Sequence, residues 1–357
     1  MELKFDNTKE YAIALEGGGA KGAYQVGVWQ ALREAGIKIK AVAGTSVGAL
    51  NGAMMCMDNF ELALDIWRNM RLSRVVAVNE ANEEELRKLV AGEAEFGDMH
   101  ELFTQAKDIL KNRGLDIAPL RQMVDRLADE EKIKNSPVEF FITTVSLTDR
   151  KVMDVKLNGL GHDEICNMLI ASAYHPTFRQ EKLGGKHYAD GGLVDNLPIY
   201  PLVKNGYKDI IAVRIPGLGA ERRFKLPKGV NLSYIDTSKD LGGVLNFDKT
   251  QSERNLKIGY YDAQRLLYGL CGKDYYIDRT MTEQQALDFL TKRSLSEGMS
   301  LRKLYEKELP KLSKKLGSEK DDYYQLFIAA LEAMAEEKGI EKLAVYTDEE
   351  LIEKTCG

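Results

Sequence analysis

Within its first sixty residues the chain passes twice from a short apolar run, through a glycine-rich turn, into a helix-forming stretch. Residues 11–15 (YAIAL) are uniformly apolar, the pattern of a buried parallel strand. Gly17, Gly18, Gly19 and Gly22 follow. Ala23, Val26, Trp29 or Gln30, Leu32 and Ala35 then recur at a roughly helical period, which Gly36 ends. Residues 39–43 predict a second strand, Gly44-Thr45-Ser46-Val47-Gly48 a second turn, and residues 49–57 a helix of small residues. Strand, glycine loop, helix, strand, turn, helix is the order of a doubly wound α/β fold.

The remainder extends that core. Residues 61–134 turn helical and charge-rich, with Glu83-Glu84-Glu85 opening one helix, and are expected to form a helical insert. Residues 138–147 and 152–157 predict a hairpin across Thr148-Asp149-Arg150. A helix over 163–173 and strands at 187–189 and 209–215 follow. Beyond 278 the chain reads as amphipathic helix, with Tyr323, Leu326, Phe327, Ala330, Leu331 and Met334 on one helical face. The expected organisation is a catalytic domain over 1–278 and a helical C-terminal region over 279–357.

Composition narrows the class. Of 357 residues, 44% are hydrophobic and 29% charged, enough for a sizeable soluble core. A net charge of -5 argues against a general nucleic-acid binder. Cys56, Cys166, Cys271 and Cys356 lie far apart with no CxxC pair, neither a zinc signature nor a disulfide framework, so a reducing, cytoplasmic setting is expected. The first ten residues carry five charges and predict no secretory signal. No apolar run reaches the ~18 residues of a spanning helix, and Cys356 is not placed for prenylation. Any membrane is expected to be met from the water side.

Gly17, Gly19 and Gly22 satisfy G-x-G-x-x-G, but a dinucleotide site needs an acid about 20 residues on. Ile37-Lys38-Ile39-Lys40-Ala41 offers none, and no G-K-[ST] supports a phosphate loop. The other use of such a loop is to converge backbone N–H groups at a helix N-terminus, where they hold an oxyanion. On that reading Gly17, Gly18 and Gly19 line the hole, Gly22 admits the helix and Lys21 adds positive charge.

Gly44-Thr45-Ser46-Val47-Gly48 fits the G-x-S-x-G nucleophile elbow, with a strand before it and a helix after. Gly44 and Gly48 flank Ser46 because neighbouring side chains would clash in so sharp a turn. A serine needs a base. His100, His162, His175 and His187 are the only histidines, and none shows an Asp partner at a family-like spacing. Asp190-Gly191-Gly192 closes a strand-like segment, and its carboxylate could act as base directly if brought within hydrogen-bond reach.

The glycine loop at 17–22, the elbow at 44–48 and Asp190-Gly191-Gly192, in that order, resemble the patatin-like phospholipase family. The run Leu193-Val194-Asp195-Asn196-Leu197-Pro198 and the segment Ala171-Ser172-Ala173 with Pro176 and Phe178 are similar to further family segments. The resemblance covers residues 11–200 and extends to about 270. It implies a three-layer α/β/α fold with a mainly parallel central sheet, a Ser46–Asp190 dyad without catalytic histidine, an oxyanion hole from the glycine loop, and cleavage of acyl esters in lipids. It implies neither metal nor organic cofactor. His175 borders the pocket in this reading, in packing or substrate contact.

Two basic stretches, with Arg214, Arg222, Arg223, Lys225 and Lys228 in one and 303–315 as the other, read as solvated faces, with anionic lipid as their alternative use. The expected activity is hydrolysis of (lyso)phospholipid or related acyl esters. The competing readings are acyl transfer or neutral-ester hydrolysis through the same dyad, and a binding module with a relic site.

Overall fold

In the computed structural model, residues 1–78, 114–217, 219–295, 299–319 and 322–356 are described. They form two compact units, one of Asp6–Ala263 and one of Met1–Phe5 with Gln264–Gly357.

The first unit opens as the sequence predicts. Strand β1 (Glu10–Leu15) leads through a 3-10 turn (Gly19–Gly22) into helix α1 (Ala23–Glu34). Strand β2 (Lys38–Thr45) leads through Ser46 into α2 (Val47–Cys56), and α3 (Phe60–Arg68) follows. The expected insert is represented by α3, α4 (Ala118–Leu127) and α5 (Glu130–Asn135); the Glu83-Glu84-Glu85 helix start lies outside the described residues. Strands β3 (Glu139–Ser146) and β4 (Lys151–Lys156) make the expected hairpin. Then come α6 (His162–Ser172), β5 (Tyr188–Asp190), α7 (Ile199–Lys204), β6 (Asp209–Val213), β7 (Asn231–Ile235) and α8 (Lys249–Tyr268).

One mostly parallel sheet runs β4-β3-β2-β1-β6-β7, with β5 added to β3. Only β4 and β5 pair antiparallel. Alternation along the strands gives each face its partner. Ala12, Ala14, Ala41, Ala43 and Ala212 face Leu197, Ile199 and Leu202 at α7, where small side chains admit the helix closely. On the opposite face Gly52 of α2 lies on Val42 and Phe140. With helices on both faces, this is a three-layer α/β/α fold.

No described helix is long and apolar enough to cross a membrane. Of the first basic stretch, Arg214 pairs with Glu221, while Arg222 turns inward to grip Asp154 through two hydrogen bonds (2.8 and 2.9 Å). Two of the five basic side chains are therefore paired, while Arg223, Lys225 and Lys228 are exposed.

The second unit gathers β8 (Tyr276–Asp278), α9 (Glu283–Ser294), α10 (Leu309–Leu316), α11 (Tyr323–Glu337), β9 (Val345–Thr347) and α12 (Asp348–Cys356). Its core centres on Tyr324, Phe327, Leu331 and Leu351. The division at 263/264 precedes the expected 278 because β8 pairs with β9 of this unit.

Candidate active site

The register around β3 brings residues distant in sequence to one point. Strand β4 fills one edge of β3 from Phe141 to Ser146. Strand β2 takes the other edge, ending with Thr45 opposite Thr143. Strand β5 pairs with Thr144, Val145 and Ser146, and the only edge left there is the one β2 vacates. The ends of β2 and β5 therefore meet head-on, Ser46 following Thr45 on one and Asp190 closing the other.

Ser46 sits at φ 54°, ψ −124°, in the left-handed half of backbone space that side chains rarely enter. The turn is held in place by neighbours. The Ser46 amide donates to Oγ of Ser172 (3.0 Å), and that hydroxyl donates to the Thr143 carbonyl (2.7 Å). Only glycine fits on either side: a Cβ at Gly44 would stand 2.2 Å from the Gly48 carbonyl oxygen, and one at Gly48 2.3 Å from that of Leu15.

Asp190 is 7% exposed, and the Ser46 side chain stands close enough to act on its carboxyl. Its Oδ1 accepts the Gly192 amide at 2.7 Å. Burial pushes its carboxyl up to about 6, with the Gly192 amide and the Ser46 hydroxyl pulling the other way. Gly191 permits the close approach, since a Cβ there would lie 2.2 Å from the Thr143 carbonyl oxygen. Asp195, five residues further on, is also buried and also raised to about 6 by burial, although Arg222 Nε stands 3.0 Å away. It anchors structure: its carbonyl accepts the Thr45 hydroxyl at 2.9 Å.

The glycine loop lies against Ser46, a Cβ on Gly17 falling 3.1 Å from that of the serine. The loop's amides divide differently from the expectation. Gly17 is not a free donor, because its N–H is committed to the Asn196 carbonyl (3.0 Å). The amides of Gly18 and Gly19 meet no backbone acceptor among the described residues. Gly19, at φ 55°, needs to be glycine, and a Cβ there would run into the Val244 carbonyl at 2.1 Å. The ammonium of Lys21, expected to add positive charge to the loop, donates to the Pro216 carbonyl. Gly22 makes room for Val47 and Trp67, and its carbonyl accepts the Asn51 amide at 2.9 Å.

Beneath the loop, the buried Glu16 carboxylate accepts the Ile215 amide (2.6 Å) and the Asn196 side-chain amide (3.3 Å). Asn196 donates as well to the Gly17 carbonyl (3.0 Å). Burial raises the Glu16 carboxyl, with the Ile215 amide and Arg214 opposing.

His175 lines the same cleft, but its Nδ1 accepts the Thr177 amide (3.3 Å) and meets the Thr177 hydroxyl (2.8 Å). The Thr177 amide engages the Nδ1 lone pair, and burial lowers the basicity of the ring. His187 lies at the outer end of β5, where its amide bonds the Thr148 hydroxyl, and it does not line the cleft. His100 lies outside the described residues.

A cleft of about 1120 Å³, counting the solvent at its mouth, opens from Ser46, Asp190 and the glycine loop. Away from these its walls are apolar, with Met54, Trp67, Met70, Leu120, Met123 and Phe247 among them. Several residues of this site have no role that local sequence pattern discloses: Ser172, Asn196 and Glu16, which brace it, and the α4 wall of Leu120, Met123 and Leu127. Ser172 and Asn196 do stand in segments that carry the family resemblance, which is the signal that could have found them.

A model of the patatin-like phospholipase family matches residues 13–203. Lysophospholipase NTE1 of Mycosarcoma maydis is 28% identical over 203 residues, covering 57% of this chain and 9% of the relative. Neuropathy target esterase sws of Drosophila melanogaster is 27% identical, covering 57% of this chain and 13% of the relative. The chain thus matches about a tenth of the length of these curated relatives. Among solved structures, VipD from Legionella pneumophila is similar at a TM-score of 0.39 and 16% identity, over 72% of this chain and 66% of its own. The family model spans more than half of the 357 residues, and the chain belongs to the patatin-like phospholipase family.

Proposed function

We propose that the chain hydrolyses fatty-acyl esters of phospholipids or lysophospholipids through a Ser46–Asp190 dyad. The observation that carries this reading is a serine in a strained elbow, beside a buried carboxylate and two amides with no backbone acceptor among the described residues, at an apolar cleft.

Asp190 takes the Ser46 proton as Oγ attacks the ester carbonyl. The amides of Gly18 and Gly19 hold the oxyanion, and each such donor contributes roughly 3 kcal/mol of barrier lowering. Collapse expels the alcohol, which takes the proton back from Asp190 and leaves an acyl-Ser46. Water then attacks that ester, its proton passing to Asp190 and on to Ser46 as the fatty acid departs. The apolar walls take the acyl chain. Leu193, which lines the cleft yet is 54% exposed, marks the side presented to a lipid surface.

The test is hydrolysis of a short-chain nitrophenyl ester, followed by a panel of lipid classes. Ser46→Ala and Asp190→Asn are expected to lose at least about 10³-fold in kcat. His175→Ala should remain within about tenfold. A near-normal Asp190→Asn beside an inactive His175→Ala overturns the dyad in favour of a histidine base.

A further inference from the structure

The first turn of α6 and the end of α4 gather three side chains for which acyl hydrolysis has no use. His162 and Cys166 stand four residues apart on α6 and share one face. Asp125 reaches them from α4. The Asp125 carboxylate oxygen lies 3.1 Å from Nε2 of His162, and Cys166 Sγ lies 3.6 Å from the same nitrogen. All three donor atoms fall within 4.8 Å of one another.

Hydrogen bonding alone explains this poorly. A ring nitrogen has one in-plane direction, either an N–H or a lone pair. It can donate to the carboxylate or accept from the thiol, but not both. Three electron-rich atoms converging on one point suit a cation between them. The spacing also fits: bonds of about 2.0 Å to nitrogen and oxygen and 2.3 Å to sulfur, at tetrahedral angles, put donor atoms about 3.3–3.5 Å apart. The two measured separations bracket that range. Negative charge surrounds the group, since Asp125 belongs to it, Asp163 follows His162 in the first turn of α6, and Glu130 accepts the His162 amide at 2.9 Å.

We propose that Asp125, His162 and Cys166 bind a divalent cation of the zinc class, with water as fourth ligand. Imidazole and thiolate together favour zinc or cobalt over magnesium or calcium. The ion would tie α4 to α6. Helix α4 carries Leu120, Met123 and Leu127 of the cleft wall, and α6 ends at Ser172, which holds the Ser46 amide. Cys166 and Ser172 are about 9 Å apart along the helix, so the ion braces the cleft without touching the reacting atoms.

The probe is cobalt(II), titrated into the metal-stripped full-length protein. One equivalent per chain is expected, with a thiolate-to-cobalt charge-transfer band and intense visible bands of tetrahedral cobalt, both bleached by zinc. Cys166→Ser should abolish the charge-transfer band, while Cys356→Ser, at the exposed thiol, should keep it. Asp125→Asn, at a solvent-exposed side chain, tests the site with least risk to folding and should weaken binding at least tenfold. Absence of the thiolate band in the wild type, its survival in Cys166→Ser, or unchanged affinity in Asp125→Asn each overturns the site.

Discussion

As the proposed base, Asp190 meets two opposed demands. A base must be ionised to take a proton, yet burial holds its carboxyl up to about 6. That position gives a base close to the working pH, where proton transfer is most effective. The rate limb follows from the sign: kcat/KM should rise with pH through about 6 and level above it. The stability limb runs the other way. A carboxyl raised on folding contributes stability below its unfolded value near 4, and that contribution is lost as pH rises through about 6. At neutral pH the ionised Asp190 therefore costs the fold on the order of 2–3 kcal/mol. Asp190→Asn removes this cost, and its Oδ1 can still accept the Gly192 amide. The variant is expected to be nearly inactive but to melt several degrees higher at pH 7–8, a gain that shrinks toward pH 4. Calorimetry across that range checks it, and a variant melting lower at every pH refutes it.

At the scale of elements, the site exists because two strands end against each other on one edge of β3, and Ser172 pins that junction. Its hydroxyl is fully buried between the Ser46 amide and the Thr143 carbonyl. Ser172→Ala leaves both groups unpaired next to a strained backbone, at a cost of about 1–3 kcal/mol in stability. Since Ser172 holds the amide of the proposed nucleophile and does not line the cleft, kcat should fall about 10- to 100-fold with KM little changed. A rise in KM at constant kcat would contradict this role. Such dependence on register marks what the sequence could and could not disclose. The elbow and the glycine loop are local patterns, legible because Gly44, Gly48 and Gly19 are demanded by nearby backbone. The commitment of the Gly17 amide to the Asn196 carbonyl depends on a partner 179 positions away, and the meeting of Asp125 with His162 on one 37 away. Helix α8 escaped because its polar residues blur the period and Gly259 reads as a breaker. In the fold Gly259 is a contact point instead: a Cβ there would stand 2.0 Å from the Tyr24 carbonyl oxygen of α1. Strand β5, three residues long, is too short to declare its ends.

For the whole molecule, the two units carry buried aspartates of opposite sign. In the C-terminal unit Asp348 is fully buried, which alone would raise its carboxyl. Hydrogen bonds from the Thr280 hydroxyl, Tyr324 (2.7 Å) and the Met281 amide (3.0 Å) outweigh burial and hold it below its ordinary value. Its stabilisation is thus present above the unfolded value near 4 and lost as pH falls through the folded one. Acidification from pH 6 to 4 relieves Asp190 in the first unit, and further acidification removes the support of Asp348 in the second. Asp348→Asn keeps the shape but replaces charge-assisted bonds by weaker ones, a loss of about 2 kcal/mol. For a unit of this size that lowers its melting transition by on the order of 10 °C. Every residue that lines the cleft falls within Asp6–Ala263. Ester hydrolysis by Asp348→Asn at 25 °C, below either transition, should therefore match the wild type in kcat and KM. Calorimetry paired with that assay decides the matter: a fall in kcat accompanying the lowered transition would make the C-terminal unit part of the catalytic machinery rather than a separate fold.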